Sequence, residues 1–368
     1  MSEAQLDKTA GQATGASPAP PWIAAQLEAL LNQRGHAWLL GGPSGLGQYR
    51  LALEMVRAWL CESPAGAGAC GHCSSCHAID VHTHADLCVL MPETIMLELG
   101  WPLGEKAQSD IDDKKRKASK EIRVDAMRDA VEFSQRTSAR GRGKAVLVFP
   151  AERMNNITAN ALLKTLEEPP GDVKFVLATE AAHQLLPTIR SRCLGHTMVW
   201  PDGDASLAWL QAQGVDLAQA RVLLHAAGGR PEDALAFLAS GRDPASWAAF
   251  PKAMQQGRLD GLKDWTPVQT IDALHKLCHD MLALKAGAQP RFFESANLPP
   301  VSAVNAARTK AAGPSIPSMP SMPSFASLTA WAQALSSASR TMEHPFNSGL
   351  MMEALVSQAK NALNPKTP

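Results

Sequence analysis

Gly42, Gly45 and Gly47 have the spacing of a phosphate-binding loop and follow a short apolar run. In such a loop the next residue is Lys, which contacts the β- and γ-phosphates. The residue after it is Ser or Thr, whose hydroxyl binds Mg²⁺. Here these positions hold Gln48, which carries no charge, and Tyr49, whose ring replaces a small hydroxyl. The sequence therefore predicts a degenerate P-loop that can still offer backbone N–H groups to a phosphate but is unsuited to hydrolysis.

Four of the seven cysteines, Cys61, Cys70, Cys73 and Cys76, follow the pattern C-x8-C-x2-C-x2-C. Gaps of two residues let neighbouring thiolates bind one ion, and four thiolates form a closed tetrahedral zinc site with no position for water. The spacing predicts structural, non-catalytic zinc in a module over residues 61–76. The alternatives are unrelated reduced thiols, or a nucleic-acid-binding zinc ribbon, which the lack of an accompanying basic and aromatic cluster disfavours.

Length and charge narrow the class of protein. A chain of 368 residues is expected to form about two or three domains. Its 35 basic residues balance its 35 acidic ones, which argues against a protein that coats nucleic acid electrostatically.

No apolar stretch approaches the roughly 18 residues needed to span a bilayer. Residues 1–21 lack the apolar block of a signal peptide, so we expect a disordered leader and a cytoplasmic protein without membrane partners.

Short apolar runs alternate with amphipathic segments in the first half of the chain. Strands are predicted at residues 36–40, 86–90, 145–149 and 174–178, and helices at 49–60, 123–136 and 156–168. Residues 93–120, which are highly charged, are predicted to be irregular. This alternation predicts an α/β domain in which helices cover both faces of a parallel sheet.

Helical stretches replace strand-like runs after residue 200. We predict a leader at 1–21, a nucleotide-binding-like α/β domain at 22–199 that carries the zinc module, a small helical domain at 200–243 and an all-α domain at 244–368. The last of these contains a Pro/Ser/Met-rich segment at about 296–326, which is predicted to be a mobile loop.

Two segments carry a resemblance to a known family. Residues 160–170 read NALLKTLEEPP and resemble the clamp-loader branch of the AAA+ family. Residues 187–193 read PTIRSRC and resemble the Ser-Arg-Cys motif of that branch, at the expected distance. With the degenerate P-loop and the cysteines, the resemblance covers about residues 22–200. It implies an AAA+ fold, with the helical segments 200–243 and 244–368 as its lid and collar domains.

The chain departs from active members of that family at further positions. The resemblance places an acidic pair that binds Mg²⁺ at the end of the third strand, where Phe149 and Pro150 stand. It places an Arg that senses the γ-phosphate where Glu232 stands, with Arg230 displaced by two residues. Thr179 matches another sensor position. With the altered P-loop, these losses remove most of the electrostatic stabilisation of phosphoryl transfer and imply no intrinsic ATPase activity.

Arg192 lies in the Ser-Arg-Cys motif. In the family this residue projects into the ATP site of the neighbouring subunit as an arginine finger, which neutralises charge on the γ-phosphate. The resemblance therefore implies a non-hydrolysing stator subunit that donates Arg192 in trans. Outside the motif, Arg192 would be interpreted as a structural surface residue beside a buried Cys193, and Arg190 is the weaker candidate for the finger.

The resemblance also implies the partners. They are the clamp-loader ATPase subunits and the clamp-opening subunit of a DNA polymerase holoenzyme, with the sliding clamp and primed DNA reached through the complex. Zinc is the expected cofactor. Two alternatives stay open, namely an active clamp-loader ATPase, against which Gln48 and Phe149 argue, and a zinc-dependent DNA-binding adaptor.

Overall fold

A computed structural model describes residues 19–64, 68–259, 262, 265–300, 323–341 and 348–364. The chain forms two compact units, and the boundary between them falls between Ala205 and Ser206. Most of the predicted leader and of the Pro/Ser/Met-rich loop lies outside the described residues. The division of the second half into a lid and a collar stays a prediction.

Unit 1 contains a parallel sheet, which has five strands among the described residues. The strands are β1 (Ala37–Gly41), β2 (Leu87–Leu90), β3 (Lys144–Val148), β4 (Val173–Thr179) and β5 (Leu194–Thr197), in the order β2-β3-β4-β1-β5. β1, β3 and β4 are buried along nearly their whole length, as strands covered on both faces must be. The α/β fold with a parallel sheet is therefore confirmed, and the four predicted strands are correct to within one or two residues.

β5 was not predicted because its residues give no apolar run. It reads Leu-Gly-His-Thr and lies at the edge of the sheet, where three of its four residues are exposed. Only backbone pairing with β1, from Trp38 opposite Leu194 to Gly41 opposite Thr197, identifies it as a strand.

Helices connect the successive strands of this sheet along the chain, as in a β-α-β unit. The helices of unit 1 are α1 (Pro21–Leu31), α2 (Gln48–Leu60), α3 (Ser74–Asp80), α4 (Glu93–Glu98), α5 (Glu105–Asp112), α6 (Val124–Gln135), α7 (Asn156–Glu167) and α8 (Pro187–Arg190). The predicted helices correspond to α2, α6 and α7. The prediction that residues 93–120 are irregular was wrong, because α4 and α5 lie there. With 6 and 8 residues, these helices are too short to show an apolar period.

α7 is fixed at its start by a side chain and along one face by the core. Asn155 accepts a hydrogen bond from the backbone N–H of Thr158 at 3.0 Å, which caps the first turn. Leu162 and Leu166 are buried in a cluster that includes Phe175 of β4. The helix ends at Glu167, just before the two prolines.

Unit 2 contains helices and no strand among its described residues. Its helices are α9 (Gly203–Ala212), which begins just before the boundary, α10 (Leu217–Ala226), α11 (Pro231–Ala239), α12 (Pro244–Gln256), α13 (Pro267–Lys285), α14 (Phe325–Thr341) and α15 (Ser348–Leu363). In its core Trp247 stacks on Phe293 with ring centroids 4.4 Å apart. The buried carboxylate of Asp280 accepts hydrogen bonds from the N–H groups of Phe292 and Phe293, both at 2.8 Å, which fixes that loop. Among the described helices, none is both long and apolar enough for a membrane span.

Candidate functional site

The glycine loop connects β1 to α2, at the carboxyl end of the sheet where ligands bind in open α/β folds. Gly45 and Gly47 have φ of 78° and 85°, which favours glycine over residues with a side chain. A Cβ at Gly42 would lie 2.8 Å from the Cβ of Met198. The loop thus keeps the backbone shape that its glycines predict.

Gln48 folds back onto this loop. Its Nε2 donates to the carbonyl oxygens of Gly42 and Pro43, both at 2.7 Å, and the residue is only 2% exposed. The side chain at the position of the catalytic Lys is therefore used within the loop itself, and it brings no positive charge.

An aromatic cluster lies where the resemblance places the Mg²⁺ ligands. The rings of Tyr49 and Phe149 pack with centroids 5.3 Å apart, and the indole N–H of Trp101 donates to the Tyr49 hydroxyl at 2.8 Å. His82 stacks on Trp101 at 3.8 Å. Burial raises the pKa of Tyr49 to about 12, although the Trp101 hydrogen bond opposes this. The cluster has apolar faces and no carboxylate, so it does not provide the oxygen ligands that Mg²⁺ requires.

The sensor position is also occupied by a contact within the chain. Thr179 at the end of β4 donates its hydroxyl to Glu152 at 2.7 Å, and the backbone N–H of Glu180 donates to the same carboxylate at 3.1 Å. An open depression of ≈ 500 Å³ lies beside the loop. It is lined by Pro43, Ser44, Glu152, Arg153, Glu180, Ala181 and Gln184. Two carboxylates against one guanidinium disfavour a triphosphate there.

The four predicted cysteines converge. The Sγ atoms of Cys61, Cys70, Cys73 and Cys76 all lie within 4.8 Å of one another, and the Cys61–Cys73 and Cys70–Cys76 Sγ distances are 3.8 and 4.0 Å. A tetrahedral Zn²⁺ with Zn–S bonds of about 2.3 Å has sulfur–sulfur edges of about 3.8 Å. The geometry of the cluster therefore fits a Cys₄ zinc site.

Backbone donors reinforce the cluster. The N–H of Cys70 donates to the Cys61 sulfur at 3.3 Å, and the N–H of Cys76 donates to the Cys73 sulfur at 3.4 Å. Burial raises the pKa values of Cys61 and Cys76. At Cys73 burial acts in the same direction, but hydrogen bonds from the Cys76 and Glu62 backbones and from neighbouring thiols outweigh it and lower the pKa to about 6. Such donors favour the thiolate, which is the form that binds metal.

A polar network joins the cysteine module to the sheet. Glu62, which follows Cys61, accepts hydrogen bonds from the hydroxyls of Ser74 and Ser75 at 2.7 and 3.0 Å. It also accepts one from Arg140 at 2.9 Å. The backbone N–H of Arg140 donates in turn to Asp86, just before β2, at 2.8 Å.

Asp86 is fully buried and fixes the loop that precedes β3. It accepts hydrogen bonds from the Ala139 N–H at 2.7 Å and the Ser138 hydroxyl at 3.0 Å, and Lys144 lies 3.6 Å away. Burial acts to raise the pKa of Asp86, but these donors and the ammonium outweigh it and hold the pKa below its usual value. Neither Asp86 nor Arg140 was identified from the sequence, because nothing in their spacing indicates that they meet.

Arg192 follows α8 and has 32% of its side chain exposed. Its Nε and Nη2 both contact Oε1 of Glu167, the last residue of α7, and its Nη1 donates to the Thr188 carbonyl at 2.9 Å. Burial raises the pKa of the neighbouring Cys193 thiol to about 12, which is typical of an inert buried cysteine. The structure thus brings together the two segments that carry the resemblance, through a contact that the sequence did not predict.

The sequence comparisons with known proteins match subunits of DNA polymerase III. The sequence model of the family described as "DNA polymerase III, delta subunit" matches residues 23–198. The chain is 42% identical over 201 residues to the DNA polymerase III subunit delta' of Pseudomonas aeruginosa, covering 54% of each chain. It is 30% identical over 278 residues to the subunit delta' of Escherichia coli K12, covering 70% of this chain and 76% of that protein.

A solved structure gives a weaker likeness. A DNA polymerase III gamma subunit-related protein from Thermotoga maritima aligns with a TM-score of 0.45 and 16% identity, covering 92% of this chain and 99% of that one. The match to the Pseudomonas relative spans about half of that relative's length.

Proposed function

The chain belongs to the family of DNA polymerase III delta' subunits, and on that premise we propose that it is a clamp-loader subunit that does not hydrolyse ATP. It supplies Arg192 to the ATP site of a neighbouring ATPase subunit. The proposed task of the complex is to load a sliding clamp on primed DNA during replication in the cytoplasm.

The observation that carries the proposal is the aromatic cluster at the end of β3. Tyr49, Phe149 and Trp101 fill the position at which a hydrolysing relative needs a hydroxyl and two carboxylates around Mg²⁺. The amide of Gln48, hydrogen-bonded inside the loop, replaces the cation that would contact the phosphates. A site built in this way lacks the ammonium of a P-loop Lys and the oxygen ligands for Mg²⁺, so it lacks the two positive charges that phosphoryl transfer needs.

Arg192 supports the second half of the proposal. It carries a permanent positive charge, it is partly exposed, and it lies in the motif that resembles the arginine finger of the family. A guanidinium that enters a neighbour's site can stabilise the charge that develops on the transferred phosphoryl group. The chain would then act on ATP bound by its partner.

Zinc has a structural place in this proposal. Cys61, Cys70, Cys73 and Cys76 would hold it. With four thiolate ligands, the ion would stabilise the segment after α2 and supply no step of the reaction.

The direct test replaces Arg192 with Ala and measures ATP hydrolysis by the reconstituted complex of the full chain with its ATPase subunits. The rate at the adjacent ATP site is expected to fall on the order of 10³-fold, because the finger contact is lost. Arg190→Ala changes the exposed arginine that ends α8 and is the weaker candidate for the finger, so it is the matched control and should keep the wild-type rate.

Size-exclusion chromatography of the same complexes separates loss of chemistry from loss of assembly. The Arg192→Ala complex should elute as the wild type does, since one partly exposed side chain contributes little to a large interface. A wild-type rate in a fully assembled Arg192→Ala complex would refute the role of Arg192.

A further inference from the structure

We propose that Glu167 is a positioning residue that retains Arg192 on its own subunit until the neighbour's nucleotide competes for the guanidinium. This inference rests on the proposed function, since it concerns the same arginine. It adds a second residue, on a different element, that controls when the finger is available.

The geometry of Arg192 is that of a retained side chain. Nε and Nη2 both contact one oxygen of Glu167, and Nη1 donates to the carbonyl of Thr188 at 2.9 Å and reaches the hydroxyl of Ser191 at 3.4 Å. All three guanidinium nitrogens therefore face acceptors of their own chain. A phosphate of another subunit that binds the Nε–Nη2 edge of Arg192 must displace Glu167 from that edge.

Glu167 has its own reason to hold a cation. It is the last residue of α7, where the partial negative charge of the helix end disfavours a carboxylate. The guanidinium of Arg192 offsets both charges at once. Glu168, one residue further on, is also exposed but is not the residue that contacts Arg192.

The contact is weak enough to be released. The side chains of Arg192 and Glu167 are 32% and 46% exposed, and ion pairs at such exposure shift an equilibrium by at most about fivefold. A finger contact in a closed interface changes a rate by on the order of 10³-fold or more. The charge that develops on the γ-phosphate in the transition state can therefore outcompete Glu167, whereas before that step the contact lowers the fraction of time that Arg192 is available to the neighbour.

The test uses Glu167→Gln in the reconstituted complex, which removes the charge and keeps the size of the side chain. Basal ATPase activity, measured without clamp and DNA, should rise by about two- to fivefold, because Arg192 is released more often. Glu168→Gln is the matched control and should keep the wild-type basal rate. Arg192→Ala combined with Glu167→Gln should show no increase over Arg192→Ala alone, since the two residues act through one contact.

The outcomes separate the two proposals. If Arg192→Ala leaves the rate unchanged, the finger fails and the retention by Glu167 fails with it. If Arg192→Ala lowers the rate but Glu167→Gln leaves the basal rate unchanged or lowers it, only the role of Glu167 is overturned. That role is also overturned if Glu168→Gln raises the rate equally, or if the increase persists without Arg192. A melting temperature close to that of the wild type checks that each variant folds.

Discussion

Gln48 donates from one amide nitrogen to two carbonyl oxygens of the glycine loop, at 2.7 Å each. A Lys at this position would bring an ammonium that can turn towards a phosphate, whereas the neutral amide can only organise the backbone. The loop is therefore held by a contact within the chain and does not need a nucleotide to complete it. Gln48 stabilises the structure of the loop at a position where phosphoryl transfer by a P-loop needs a positive charge.

Replacing Gln48 with Ala is expected to loosen the loop. The carbonyl groups of Gly42 and Pro43 lose their donor, which should cost about 1–3 kcal/mol in local stability. Hydrogen exchange over residues 42–60 measures this cost as faster opening. Gln184→Ala, at an exposed residue that lines the depression beside the loop, is the control and should change local stability by less than about 0.5 kcal/mol. Equal exchange rates in both variants would contradict the role of Gln48.

At the scale of the elements, the sequence predicted what depends on local pattern. Burial on both faces gives β1, β3 and β4 continuous apolar runs, and burial on one face gives α2 an apolar stripe. Both patterns can be recognised in the sequence alone. The cysteine cluster was predictable from local spacing, because its first and last ligands are only 15 residues apart.

Contacts made by the tertiary fold were not predictable. Trp101 donates to Tyr49 across 52 residues of sequence, and Arg140 reaches Glu62 across 78. Glu167 and Arg192 each lie in a recognised motif, yet their pairing depends on how α7 and α8 pack. In a single sequence, neither the period of apolar residues nor the spacing of polar ones indicates which distant side chains will meet in the fold.

The cysteine cluster links two elements, since Cys61 follows the end of α2 and Cys73 caps the start of α3. Removing zinc is therefore expected to release residues 61–80, while the sheet, whose core has no cysteine ligand, keeps its protection. Cys73→Ser should reduce the zinc content of the purified chain and lower its melting temperature. Elemental analysis and hydrogen exchange check both effects.

Cys88→Ser, in β2 and outside the cluster, is the matched variant and should retain about one zinc ion per chain. Native protein without bound zinc would contradict the assignment of the metal. So would equal loss of zinc from the Cys73 and Cys88 variants.

At the scale of the whole molecule, the departures from an active ATPase are spread over separate elements. Gln48 and Tyr49 begin α2, Phe149 follows β3, and Glu232 lies in α11 of unit 2. Each position would contribute a different charge or ligand to phosphoryl transfer. Restoring one of them is therefore not expected to restore ATPase activity while the others are missing. This distribution is what the proposed function expects, since in that proposal the scaffold serves assembly and the presentation of Arg192.

Restoring only the loop should therefore fail to restore the activity. A chain carrying Gln48→Lys and Tyr49→Thr regains the cation and the hydroxyl, but Phe149 and Pro150 still provide no carboxylate for Mg²⁺ or water. We expect phosphate release by the isolated variant to equal that of the wild-type chain prepared in parallel, while binding of a fluorescent ATP analogue tightens through the added charge. Turnover at about 1 s⁻¹ or faster, within the range of ordinary enzymes, would show that the loop alone had been limiting and that the groups after β3 are dispensable.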